Sequence, residues 1–382
     1  MPQAAVEEVP LRAARDRVLA EPAFARDDIV PFPRAAMDGF AVNSEDVGRP
    51  RAVAEPVLAG AAGALHRRGT ATPIATGAAL PPGADAVVCD EESVVCGNSV
   101  SFALDPAPGD HVFPAGEDAR RGDLLLAPRR VLSAGDLALL AAAGFARVSV
   151  FRRPRVAVLC TGNELVDVAS VPGCGEVRDS NGVMLSAAAE EAGAEVVWQR
   201  IIADDLESIE RALLEAFTAS DVVLTTGGAS HGPRDLVKEA CEAAGVRFAF
   251  TEVAMKPARP TGFGTVGAKA VFVLPGNPAA AYVAWHVLAR PYLTAAAMRE
   301  PPAARRATLG AAVRGKPGRC VFVLCDLRTT GERVVALPLG NQCSSLVRNA
   351  SRARALLAVE PGIEMLPAGA AVEVEVLPGR GA

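Results

Sequence analysis

Aromatic residues are scarce in this chain, with two Trp and two Tyr among 382 residues. There is no concentrated Lys/Arg stripe either, and the net charge is −5. Nucleic-acid binding is thereby excluded, since it needs stacking platforms and a basic footprint. No apolar run approaches the length of a membrane span. The opening MPQAAVEEVP lacks a basic n-region, so no secretory leader and a cytoplasmic location are the expectation. The eight cysteines include no CxxC pair. Most of them, such as Cys89, Cys160 and Cys325, lie in apolar strand-like contexts, which reads as buried free thiols in a reducing compartment. The four histidines (His66, His111, His231, His286) lack zinc-ligand spacing, so zinc is not expected.

What the chain does have is apolar content for a large core, at 50% of residues, enough for two to four domains. The most informative stretch is DVVLTTGGASHGPRDLVKEA, residues 221–240. Val222–Leu224 reads as a buried strand, Thr225–Gly228 as a glycine-rich turn, and Pro233 as the first residue of a helix ending near Gly245. A strand, a glycine turn and a helix N-terminus aim several backbone N–H groups at one spot and favour an anion there. An ordinary tight turn between strand and helix is the plain alternative.

Residues 1–26 show helix-like apolar spacing (Val6, Val9, Leu11, Val18, Leu19). In 27–42, two prolines and a glycine imply an extended, looping path, with Asp38 at the turn Met37-Asp38-Gly39. A small β-rich subdomain is expected over 51–110, with strands at Ala52–Leu58, Ala71–Ala75, Ala84–Cys89 and Val94–Leu104. Phe113–Asp118 is a carboxylate-bearing loop, and Ser133 is the N-cap candidate of a helix over Ser133–Ala143.

From Arg155 strands alternate with helices, which implies a doubly wound parallel sheet with right-handed crossovers. Its strands are expected at Val156–Cys160, Glu195–Ile202, Val222–Leu224, Val246–Phe250 and Val271–Leu274. Asp179 caps a helix running to Gly193, Asp204 caps Leu206–Phe217, and a last helix runs from Pro278 toward Ala297. Ligands of such sheets bind beyond the carboxyl ends of strands, where loops 161–164, 204, 226–235 and 275–278 all fall. Residues 303–382 suggest a small β-barrel or sandwich, with strands at Ala307–Val313, Arg319–Leu327, Arg333–Leu337 and Ala370–Val376 and a short helix near Ser344–Ala355. The division expected is 1–150, 151–298 and 303–382.

Eight motifs then stand in one order: MDGFA (37–41), ATGAALPPGADAVV (75–88), GED (116–118), TGNEL (161–165), RDSN (178–181), TTGGASHGPRD (225–235), MKP (255–257) and LPGNP (274–278). This arrangement resembles the MoeA family, the molybdopterin molybdenumtransferases that include the E-domain of gephyrin. The resemblance implies a MogA/MoaB-like central domain and insertion of molybdate into adenylated molybdopterin with release of AMP. It also implies Mg²⁺, and functional carboxylates at Asp38, Asp118, Glu164, Asp204 and Asp235, with Glu164 and Asp235 as metal ligands. Substrate contacts are expected at Thr76, Gly77, Thr161, Gly162, Ser180, Asn181, Gly227, Gly228, Ser230, Lys256, Pro275, Gly276, Asn277 and Pro278. A homodimer with composite sites is implied as well, with the adenylyltransferase and apo-molybdoenzymes as handover partners.

Charge agrees with this. Both substrates are anionic, so N–H-rich turns suit them, and carboxylates beside phosphates need a hard cation between them. No protein nucleophile is required. The plain readings are N-caps for Asp179 and Asp204, a turn cap for Asp118, a surface role for Glu164 and a loop role for His231. Three positions depart from the family pattern: Ala258 and Arg259 stand where the MKPGKP form has glycine and lysine, and Glu252 where relatives tend to carry a base. The rival readings are a MogA-like adenylyltransferase, which the motifs of the first 150 residues oppose, and a cofactor-binding or scaffold protein without turnover.

Overall fold

The computed structural model describes residues 5–46, 48–61, 63–228, 236–331 and 333–378. The chain forms two compact units, one comprising Glu8–Arg15 and Leu19–Ser149, the other Met1–Glu7, Asp16–Val18 and Val150–Ala382. Among the described residues no helix is long and apolar enough to cross a membrane.

The first unit is built on six strands: β1 (Gly39–Val42), β2 (Arg51–Val53), β3 (Thr70–Ile74), β4 (Ala86–Cys89), β5 (Ser93–Cys96) and β6 (Ser99–Phe102), in the order β4-β1-β3-β2-β6-β5. Strand side chains alternate between faces, and here both faces are covered. Phe40, Val42, Ala86 and Val88 pack into one core, while Ala41 and Val87 pack into another. Gly39–Val42 is therefore a fully buried strand, where the prolines upstream suggested a continuing loop. The helix expected over 1–26 is also overturned. Val6–Pro10 is a strand and Leu11–Ala13 a single 3₁₀ turn, because Pro10 has no N–H for a helix and holds an extended ψ of 141°. Helix α1 (Ala134–Ala142) begins as expected at Ser133, whose hydroxyl and Asp136 form a capping box.

In the second unit come β7 (Arg155–Thr161), α2 (Ser180–Glu191), β8 (Glu195–Ile202), α3 (Leu206–Ala219), β9 (Val222–Thr226), α4 (Leu236–Ala243), β10 (Arg247–Phe250), β11 (Gly262–Val266), β12 (Lys269–Leu274), α5 (Pro278–Ala284) and α6 (Arg290–Ala296). The sheet order is β8-β7-β9-β12-β11-β10. The first four strands are parallel, and β11 runs antiparallel to both its neighbours. Alternation along β7 sends Val156, Val158 and Cys160 into one core with α2 and α5, and Ala157 and Leu159 into the other with α3 and α4. The doubly wound sheet is thus borne out. Strand β11 was not among the expected strands; at its Gly264 a Cβ would lie 2.8 Å from the Arg247 carbonyl of β10. The cap of α3 is Asp205, which accepts the Ser208 N–H at 2.8 Å, and not Asp204.

The last helix of the domain is interrupted. Pro291 has no N–H and would clash with the carbonyl four residues back, and immediately before it Trp285–Ala289 widens into a π turn. That turn buries His286 beside Glu375, 3.2 Å away, and Arg290, which itself reaches Glu375 at 2.7 Å. Glu375 belongs to the C-terminal domain, made of β13 (Ala304–Leu309), β14 (Cys320–Thr330), β15 (Arg333–Pro338), α7 (Val347–Arg352), β16 (Ala355–Val359) and β17 (Ala371–Val376). Pairing runs β14-β15-β13-β17-β16 and back to β14, a closed five-stranded barrel. The short helix expected near Ser344–Ala355 is α7, and strand β16 begins where that stretch ends, at Ala355.

Burial lowers the pKa of His286, with Glu375 opposing. Its folded value is below the unfolded value of about 6.5, so the unfolded chain takes up the proton first and stability falls as pH drops below about 6.5. The groups facing His286 are Glu375, Arg290, Tyr282 and Glu191. His286→Gln should remove part of this acid sensitivity, which for one proton is limited to about 1.4 kcal/mol per pH unit. Urea melts of both proteins between pH 5 and pH 8, roughly spanning that window, check it; parallel curves would show that His286 does not titrate on unfolding.

Candidate active site

A cleft of about 560 Å³ opens at the carboxyl ends of β7, β9 and β12. It is lined by Thr161, Glu164, Ser180, Asn181, Gly227, Gly228, Pro275, Gly276, Asn277 and Pro278, so these ten expected residues are brought together. Parallel pairing puts the three strand ends side by side, with Cys160 opposite Thr226 and Thr226 opposite Leu274. Glycine then lets the loops touch. Gly227 has φ 95°, and a Cβ on it would stand 2.1 Å from the Thr161 carbonyl oxygen. On Gly276 a Cβ would lie 3.3 Å from the Gly227 Cα.

Hydrogen bonds lock this contact. The Asn181 amide donates to Thr226 Oγ1 at 3.0 Å and to the Gly276 carbonyl at 2.8 Å, and Thr226 Oγ1 donates to the Pro275 carbonyl at 2.9 Å. Asp179, which precedes them, is buried and fully committed. It accepts the Gly182 N–H as the α2 N-cap and the Gln199 amide, both at 2.8 Å. Two oxygens remain: Thr161 Oγ1 and Asn181 Oδ1 are buried with no hydrogen-bond partner among the described residues. Burial and the neighbouring Asp179 push the Cys160 thiol well above the ordinary cysteine range. This thiol lines the cleft without being a nucleophile.

The remaining expected residues are placed elsewhere. Gly162 is buried just behind the cleft edge. Asp204 is half-buried, with its N–H on Asn163 Oδ1 at 3.1 Å. Ser230, His231, Pro233 and Asp235 lie outside the described residues. In the first unit, Asp38 accepts the Thr76 N–H at 2.7 Å and the Thr76 hydroxyl at 2.9 Å, which holds its carboxyl below the usual range. Gly77 continues that turn with φ 80°, and Asp118 is exposed.

Lys256 opens into a second cavity of about 970 Å³, which shares Pro260, Pro275 and Asn277 with the cleft. Met255–Lys256 pairs in parallel with Cys320–Val321 of β14, so one wall of this cavity comes from the barrel. Arg259, Arg314 and Arg319 join Lys256 there, and among the described residues no carboxylate lines it. Arg314, Arg319 and Ser344 escaped the sequence reading, because nothing local ties them to a motif 58 or more residues upstream. Glu252 is engaged: Arg259 reaches its carboxylate with Nε at 2.9 Å and Nη2 at 2.8 Å. Two of the three departures therefore neutralise each other. The third, Ala258, has φ 71°, a left-handed conformation that suits the glycine of the family form.

Comparison with known proteins agrees along the whole chain. Residues 1–144 match the MoeA N-terminal region (domains I and II), residues 157–295 a probable molybdopterin binding domain, and residues 306–377 the MoeA C-terminal region (domain IV). Molybdopterin molybdenumtransferase 2 of Mycobacterium tuberculosis (strain ATCC 25618 / H37Rv) is 33% identical over 381 residues, covering 96% of this chain and 94% of the relative. The chain belongs to the MoeA family. Molybdopterin molybdenumtransferase of Staphylococcus aureus (strain COL) is 31% identical over 376 residues, covering 96% of this chain and 90% of that relative. Among solved structures, the molybdopterin biosynthesis MoeA protein from Pyrococcus horikosii superimposes with a TM-score of 0.83 at 31% identity. That alignment covers 99% of this chain and 96% of the other. Within this family, the cleft at the strand ends lies in the segment that matches the molybdopterin-binding domain.

Two substitutions check the local physics. Ala258→Gly relieves roughly 1–2 kcal/mol of left-handed strain and loses about 0.8 kcal/mol from one buried methyl, so stability should move by no more than about 1 kcal/mol. Ala258→Val adds a β-branch at positive φ and should cost more than about 2 kcal/mol. Equal urea midpoints for the two variants would contradict the strain assignment. Gly227→Ala should separate the loops at residues 161 and 227, lowering stability by about 2–3 kcal/mol and weakening ligand binding in the cleft, read by denaturation and calorimetry.

Proposed function

We infer that the chain inserts molybdate into adenylated molybdopterin, releasing AMP. One observation carries this reading: a polar strand-end cleft shares Pro260, Pro275 and Asn277 with a cavity lined by four cations and, among the described residues, no carboxylate. Molybdate is a dianion and the adenylated pterin carries a pyrophosphate, so the chemistry of the two adjoining spaces suits the two anionic partners of one reaction. Lys256, Arg314 and Arg319 would hold anionic oxygens, while Asn181 keeps loops 226–228 and 275–278 fixed around the nucleotide-bearing substrate. The names of the relatives, which specify molybdopterin and molybdenum transfer, support the same assignment.

Magnesium takes oxygen ligands, commonly one or two carboxylates completed by substrate phosphates. The cleft's free donors are all oxygen: the Glu164 carboxylate and the unpartnered Thr161 Oγ1 and Asn181 Oδ1. They fit such an ion, and Glu164 would hold it together with Asp235. Bound there it would supply Lewis acidity toward the phosphoanhydride. The protein groups would fix the two anions; the phosphoanhydride opens with AMP as leaving group, and molybdate gives up one oxygen to phosphorus and one to water as the metal passes to the dithiolene sulfurs.

A homodimer completes the proposal. Asp38, Thr76 and Asp118 belong to one unit and Glu164 to the other, and the family resemblance implies that one subunit's N-terminal unit completes its partner's site. In the decisive assay, pure protein is incubated with adenylated molybdopterin, molybdate and Mg²⁺, and AMP is measured. The wild-type chain should release AMP; binding without release would leave only a carrier or scaffold role.

Glu164→Gln should lower Mg²⁺-dependent release by at least about 100-fold while leaving the urea midpoint unchanged, because this carboxylate is exposed. Mixing Asp38→Ala chains with Asp235→Ala chains, after verified subunit exchange, should restore roughly a quarter of wild-type activity. About half of the dimers are mixed, and each of these has one of its two sites free of lesions. An inactive mixture would reject the shared site.

A further inference from the structure

The first unit holds a convergence of unlike ligands that the functional reading does not use. Cys89 ends β4, Glu92 closes the 3₁₀ turn Asp90–Glu92 that follows it, and His111 comes from the loop nineteen residues on. The Cys89 thiol, a Glu92 carboxylate oxygen and a His111 ring nitrogen all lie within 4.8 Å of one another. Among the described residues this is the one such group of three or more His, Cys, Asp or Glu side chains. We propose that Cys89, Glu92 and His111 form a binding site for a zinc-class divalent cation.

Backbone pairing presents each ligand. Cys89 is opposite Gly39 in the sheet, and the Asp90 N–H reaches the Asp38 carbonyl at 3.3 Å. The His111 carbonyl accepts the Ala36 N–H at 2.8 Å, and Val112 pairs with Ala35. Two segments that meet on the 35–39 stretch, 89–92 and 111–112, thus bring one sulfur, one oxygen and one nitrogen to a common point. That donor set suits a borderline ion such as Zn²⁺, while a thiolate is a poor partner for Mg²⁺. Three protein ligands leave a fourth tetrahedral position open to a small ligand.

Three adjacent acids, Asp90, Glu91 and Glu92, follow Cys89 along the chain. A divalent cation would offset their charge and take Cys89 as thiolate, releasing a proton to solvent as it binds. Spacing along the chain hides the site, because His111 is separated from the C-x-x-E pair by two strands and a loop. The ion would clamp the segment that carries Asp38.

The test uses the full-length chain, stripped with a chelator and titrated with Co²⁺ alone, then with Zn²⁺. A single tight Co²⁺ should produce a thiolate-to-cobalt charge-transfer band with d–d bands of tetrahedral intensity, and Zn²⁺ should abolish both. Cys89→Ser should lose the charge-transfer band. His111→Ala and Glu92→Gln alter exposed groups, keep the fold and should weaken Co²⁺ binding by about tenfold or more; they decide the matter if Cys89→Ser does not fold. Absence of the band in the wild-type chain, its persistence at full affinity in His111→Ala, or its loss on Cys96→Ser instead would overturn the site. Every readout is spectroscopic, so the outcome is independent of whether AMP is released.

Discussion

One buried amide holds the strand-end edge together. Asn181 bridges Thr226 of β9 and the carbonyl of Gly276 after β12, and Asp179 fixes the helix turn from which it projects. Parallel strands are joined by hydrogen bonds along their length, but the loops that leave them have no such obligation and diverge by default. A side chain donating to two of them at once removes that freedom at a cost of one residue. A buried amide left half-paired is expensive, typically about 1–3 kcal/mol, so this bridge also penalises every arrangement in which the loops part. The cleft, its glycine contacts and its two spare oxygens all follow from that one bridge.

The barrel contributes to the cation-lined space as the segment 255–260 does. The segment 255–256 leaves the α/β sheet to run beside β14, which sets Lys256 against Arg314 and Arg319. A five-stranded barrel has no free edge to offer aggregation, yet here one strand accepts two extra residues from a neighbouring domain. The His286, Arg290 and Glu375 group ties the same two domains at a second place, between α6 and β17. Two attachments restrain rocking in a way one could not.

The parts legible in the sequence were those with short-range causes. Val222–Leu224 stood out as a short apolar run, Ser133 and Asp179 as caps, and the strand-end loops as glycine and proline clusters after apolar strands. What escaped was decided at long range. Gly39–Val42 becomes a central strand because β3 and β4 flank it, a fact no window around it contains. Gly262–Val266 is a strand whose glycines admit a neighbouring backbone. Asp204 and Asp205 compete for one cap, and adjacent acids cannot be separated by pattern. Arg314, on a two-residue strand paired with Met365–Leu366, and Arg319, just before β14, meet Lys256 only in three dimensions.

The Glu252–Arg259 pair bears on how this chain can be exchanged with its relatives. Arg259 keeps the positive charge of the lysine in the family form, so the change of charge at this wall falls on Glu252 alone. What the guanidinium adds is geometry: Nε and Nη2 both reach one Glu252 oxygen, a double contact that a single ammonium does not make. A graft that brings a basic residue to 252 sets two cations together whichever cation stands at 259. Exchange of arginine for lysine at 259 leaves the charge unchanged and loses only the double contact.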